Sequence, residues 1–63
     1  MAGDAEREVY FEFTVIGTVV KASAIDGTTG IEVSVMGPAS ASKADLRQLA
    51  LQKLNARIAR DGR

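Results

Sequence analysis

Residues 26–42 read Asp26-Gly-Thr-Thr-Gly30, then Ile31-Glu-Val-Ser-Val-Met36, then Gly37-Pro-Ala-Ser-Ala-Ser42. A turn cluster, an alternating strand, a breaker pair and a helix start follow one another without spare residues. Upstream of this stretch apolar residues recur at every second position. Downstream they recur at every third or fourth. The change of period argues for strands first and a helix last.

The upstream part divides at glycine. Val9, Phe11, Phe13 and Val15 point one way, with Tyr10, Glu12 and Thr14 pointing the other. Gly17 interrupts the run. Val20, Ala22 and Ala24 then oppose Val19, Lys21, Ser23 and Ile25, and in residues 31–36 Ile31, Val33 and Val35 oppose Glu32, Ser34 and Met36. A two-residue loop at Ile16-Gly17 puts Val15 opposite Thr18, Phe13 opposite Val20, Phe11 opposite Ala22 and Val9 opposite Ala24. A four-residue loop at Asp26–Thr29 puts Ala24 opposite Ile31, Ala22 opposite Val33 and Val20 opposite Val35. Directly opposed residues share a sheet face. The expected rows are therefore Phe11–Ala22–Val33 and Phe13–Val20–Val35, with Glu12 facing Lys21 on the far side.

Gly37-Pro38 is expected to end the third strand, because proline cannot donate to a ladder. Ser42 is the expected helix N-cap, with Ser40 as the alternative and Asp45 three residues after Ser42. Leu46, Ala50, Leu54 and Ile58 form an i, i+4 row, Leu49 and Leu51 widen it, and Gly62 can supply the stop. Ala22 and Ala24 leave room for the helix to lie close. The expected fold is α+β: a three-stranded antiparallel meander (about 8–15, 18–25 and 31–36) with one C-terminal helix (about 42–60) on one face. Residues 1–7 are expected to be a disordered tail, and residues 8–61 a single domain.

Sixty-three residues are few for a core that folds alone, and such domains usually carry a staple. Cysteine and histidine are absent, so disulfides, thiolate metal sites and the commonest general base are excluded. Homodimerisation is the expected substitute. One helix covers one face, which leaves Tyr10, Val19, Ile25 and Met36 among polar neighbours on the other. With Leu49 and Leu51 at the helix margin, these are the expected partner contacts, with a second copy or an unidentified protein as the partner. Both edge strands are open, and Glu8 and Glu12 discourage pairing at the first edge.

Net charge is zero but unevenly spread. Residues 1–12 hold Asp4, Glu6, Glu8 and Glu12 against Arg7, whereas residues 42–63 hold Lys43, Arg47, Lys53, Arg57, Arg60 and Arg63 against Asp45 and Asp61. Lys43, Arg47, Lys53, Arg57 and Arg60 are candidate anion contacts. Helical spacing spreads them around the helix, and the open sheet face sets only Lys21 and Tyr10 against Glu12 and Glu32. Nucleic-acid binding is therefore the secondary expectation. No apolar run suits a signal peptide or a membrane span, so a cytoplasmic location is the default.

Catalytic chemistry finds little to work with. Asp26 sits in a turn, where Asp commonly bonds its own backbone. Thr28 and Thr29 have no histidine to activate them, and Glu12 and Glu32 are too loosely placed for a dyad. Asp-Gly-Thr-Thr-Gly fits neither phosphate-loop spacing and reads as a hairpin loop. No catalytic, cofactor or metal site is expected.

Glu8 to Phe13, Val20-Lys21-Ala22, Ala24-Ile25-Asp26, Thr29-Gly30, Glu32-Val33, Gly37-Pro38 and the leucine-rich helix together resemble a small uncharacterised alphaproteobacterial family. The likeness covers roughly residues 8–60. It implies a bacterial source and supplies no activity or site residues.

Overall fold

The computed structural model describes residues 8–61. Strands β1 (Val9–Ile16), β2 (Val19–Asp26) and β3 (Glu32–Pro38) precede helix α1 (Lys43–Asp61). The strands form one antiparallel sheet in the order β1-β2-β3, and α1 packs on one face of it. This is the expected α+β meander with a C-terminal helix. The expected N-terminal tail and the Gly62 stop lie outside the described residues.

Each strand begins one residue later than expected, and the register changes with it. The first hairpin loop is Gly17-Thr18, since Ile16 pairs with Val19 and Val15 with Val20. Gly17 has φ +62° at the first central position, where a two-residue loop of the II′ kind takes its glycine. The second loop is 27–30: Asp26 N–H donates to Ile31 O at 2.8 Å, and Gly30 N–H donates to Asp26 O at 2.8 Å. Both shifts slide β2 by two residues against its neighbours. The rows become Phe11–Ala24–Val33 and Phe13–Ala22–Val35. A two-residue slide keeps every side chain on its face, so the apolar face survives while its pairs change. The expected Glu12–Lys21 pair does not form: Glu12 faces Ser23, and Lys21 faces Thr14.

Gly37 and Pro38 do not end β3 ahead of themselves; they are its last two residues, with Val20 opposite Gly37 and Val19 opposite Pro38. Ala39 N–H donates to Thr18 O at 2.8 Å, making Thr18 and Ala39 a hydrogen-bonded pair. Alternation of the ladder then turns Pro38 outward, where its missing donor costs β2 nothing. Gly37 lies beneath the first turn of α1. A Cβ there would sit 2.8 Å from Leu46 Cδ2, so glycine admits the helix at this distance.

Helix α1 starts where Ser42 caps it. Asp45 N–H donates to Ser42 Oγ at 3.3 Å, and Leu46 N–H to Ser42 O at 3.0 Å. Leu46, Ala50 and Leu54 are buried, and Ile58 packs beside them. Leu46 meets Val20 and Ala22; Ala50 and Leu54 meet Ala24 and Val33. The helix therefore follows the direction of β2. The two alanines of the middle strand are fully buried and allow this close contact.

The helix is not centred on the sheet. It packs on β2 and β3, with little contact to β1. Val9, Phe11 and Phe13 remain half-buried, and Val15, on the same face near the hairpin, is 65% exposed.

Candidate interaction surfaces

The open sheet face carries four rows: Tyr10–Ile25–Glu32, Glu12–Ser23–Ser34, Thr14–Lys21–Met36 and Ile16–Val19–Pro38. Four expected partner contacts, Tyr10, Val19, Ile25 and Met36, do share this face, with Val19 and Ile25 half-buried and Tyr10 and Met36 exposed. They do not form a continuous apolar patch. Ser23 and Ser34 run through the middle, hydroxyl to hydroxyl at 2.9 Å, and Ser23 is buried. Leu49 is exposed on the helix and Leu51 is half-buried.

Val15 and Ile16 are apolar surface that the sequence reading did not single out. Alternation expects Val15 inward and Ile16 in the loop, yet both are strand residues and more than half exposed. A glycine at the first position of a two-residue loop would have placed Ile16 in β1.

The two sheet edges are treated differently. Gly27 N–H donates to Glu8 O at 2.8 Å, so Glu8 and Gly27 are a hydrogen-bonded pair. Alternation then turns the backbone groups of Val9, Phe11, Phe13 and Val15 away from β2. Among the described residues nothing bonds them. On β3 the outward groups belong to Glu32, Ser34, Met36 and Pro38. Lys53 reaches down from α1 and donates its Nζ to Ser34 O at 2.8 Å. A lysine on an edge and a proline in it are both devices that blunt pairing.

The five candidate anion contacts are not gathered into one patch. Lys43 Nζ lies 5.6 Å from the Phe13 ring centre, and Arg47 Cζ lies 5.7 Å from that of Phe11. Both cover the aromatic side chains that α1 leaves half-open. Lys53 is on the opposite flank, at β3. Arg57 Nε donates to Asp61 Oδ2 at 2.6 Å, and Arg60 Nε lies 3.8 Å from Asp61 Oδ1. These last pairs are exposed and contribute little.

Asp26, the last residue of β2, is buried beside the second loop. Its Oδ2 accepts the Thr29 N–H and the Thr29 hydroxyl, both at 2.8 Å. Thr29 Oγ1 accepts the Ile31 N–H at 3.2 Å. The carboxylate thus organises its own loop, as turn aspartates do, and the Asp-Gly-Thr-Thr-Gly segment is the β2–β3 connection. Tyr10 donates its phenol to Glu8 Oε1. That bond, together with the nearby carboxylate charge, raises the phenol above its ordinary pKa of 10.0. Among the described residues no three metal-ligating side chains cluster, and no helix is long and apolar enough to cross a membrane.

The family described as Domain of unknown function (DUF6898) matches residues 6–61. No curated protein and no solved structure matches the chain.

Proposed function

The chain belongs to this family of unknown function, and from its geometry we propose a small non-enzymatic interaction module that works as a homodimer. The carrying observation is the placement of its apolar surface. A domain with few residues for a core leaves Tyr10, Val15, Ile16, Met36 and Leu49 more than half exposed, and four of these lie on the sheet. On a domain this small, without disulfide or metal staple, such exposed apolar groups support burial against a partner. The turn-bonding role of Asp26 supports leaving catalysis out. The motif likeness and the cysteine-free composition support an alphaproteobacterial source and a cytoplasmic location.

Size-exclusion chromatography with light scattering tests the proposal. A mass of two chains at high micromolar concentration supports it. A mass near the single-chain 6.7 kDa overturns it. The alternative, anion or nucleic-acid binding through α1, draws on Lys43 and Arg47 beside β1, since Arg57 and Arg60 meet at Asp61. Titration with nucleic acid at two salt concentrations discriminates, since phosphate contacts weaken steeply with salt.

A further inference from the structure

We infer that the partner is a second copy of this chain, joined edge to edge through β1 in antiparallel register about Phe13, so that two sheets become one of twice the strands. This inference rests on the homodimer reading and names the surface for it.

The first observation is the asymmetry of the edges. The β3 edge is held by the Lys53 ammonium and interrupted by Pro38, and α1 lies on its side of the sheet. On the β1 edge the cations of α1, Lys43 and Arg47, lie over the Phe13 and Phe11 rings and bond no backbone group among the described residues. Strand β1 is eight residues long, without a bulge, a lysine or a proline, and its outward backbone groups are unbonded among the described residues. Unpaired groups on a long regular strand are a template for another strand.

The second observation selects the occupant. Only Val9, Phe11, Phe13 and Val15 can hydrogen-bond outward, so a twofold-symmetric pair has few registers. Centring on Glu12 sets that carboxylate against its own copy. Centring on Tyr10 sets Glu8 against the partner's Glu12. Centring on Phe11 sets Glu12 diagonally beside both Glu8 and Glu12 of the partner. Like charges placed this way oppose association. Centring on Phe13 puts Phe13 opposite the partner's Phe13 and Phe11 opposite the partner's Val15. Tyr10 then meets the partner's Ile16, and Glu12 meets the hydroxyl of the partner's Thr14, which leaves one diagonal approach of the two Glu12 side chains and removes both Glu8–Glu12 approaches of the Phe11 register. In this register Tyr10, Val15 and Ile16, three of the five exposed large apolar residues among those described, each gain an apolar neighbour. The strand is complementary to itself. The acidic residues exclude the registers about Tyr10, Phe11 and Glu12, and strand overlap, which shortens as the centre moves past Phe13 toward the hairpin, excludes those about Thr14 and Val15.

A three-variant experiment on the full chain tests the inference by light scattering, with circular dichroism to verify folding. Val15→Pro removes an outward donor and no bond to β2, so a folded monomer is expected. Met36→Pro makes the same change on the β3 edge and is expected to leave the dimer intact. Thr14→Glu sets a carboxylate opposite the partner's Glu12 while facing Lys21 within its own chain, so it is expected to stay folded and to dissociate at severalfold higher concentration. The third variant carries the test if Val15→Pro fails to fold. A wild-type chain that is monomeric at high micromolar concentration overturns the homodimer reading itself. A wild-type dimer that survives Val15→Pro and Thr14→Glu, or that is lost in Met36→Pro, leaves that reading standing and overturns the β1 edge.

Discussion

The two edge strands of this sheet have similar length and the same central neighbour, yet one is closed and the other is not. β3 lies under α1, which seats Leu46 on Gly37 and sends Lys53 to the Ser34 carbonyl. β1 lies beyond the helix, with Lys43 and Arg47 stretched over Phe13 and Phe11. The contrast teaches that a single helix cannot cover three strands. Where its axis falls decides which edge is protected and which carries unfinished apolar surface. In this chain the choice follows from residue size. The small side chains, Ala22, Ala24 and Gly37, are on β2 and β3, so the helix settles there, whereas the phenylalanines hold it off β1.

The largest expected effect is on the covered side. Leu54 is fully buried between α1 and the sheet, and Leu54→Ala should cost about 2–5 kcal/mol in urea unfolding. Val15→Ala, a truncation on the open side, should stay within about 0.5 kcal/mol under conditions where the chain is monomeric. Comparable losses would erase the contrast. Next come Ala22→Leu and Gly37→Ala, each of which crowds the helix contact and should cost about 1–3 kcal/mol. An unchanged melting temperature in either would place α1 elsewhere. Lys53→Met should cost only about 0.5–1 kcal/mol, the worth of one exposed hydrogen bond. Its second consequence should be greater exposure of the β3 edge, read as increased self-association.

The smallest effect concerns the tyrosine on the open strand. Folded-state phenol pKa is raised, so the Glu8 bond stabilises the protein below the ordinary tyrosine pKa, and this contribution is lost as pH rises through the raised value. Phenolate absorbance of the single tyrosine should therefore titrate above 10.0, and Glu8→Gln should bring it back down. A wild-type midpoint at the ordinary value would remove the bond.

Much of the fold is legible in residue order because alternation fixes faces. Val20, Ala22 and Ala24 belong inside whichever loop lengths are assumed, and the Leu46–Ala50–Leu54–Ile58 row identifies the helix face. Register is less legible. Moving a loop by one residue shifts pairing by two, which leaves every face intact, so hydrophobic pattern cannot detect it. Gly17 held the missing information, since its φ of +62° belongs to the first loop position. The site was harder to read. Which strand the helix leaves uncovered depends on packing volumes across three strands, and the destination of Lys53 depends on that outcome. Val15 looked like core because it shares the inner face; it is exposed because the helix never reaches it.

Amide hydrogen exchange, resolved by residue at low and high protein concentration, tests the central claim most directly. The N–H groups of Phe11, Phe13 and Val15 point outward from β1, and those of Glu32, Ser34 and Met36 outward from β3. Protection of the β1 set should rise with concentration while the β3 set stays unchanged. A dimer in which the β1 amides stay unprotected, or in which the β3 amides become protected, would contradict the account.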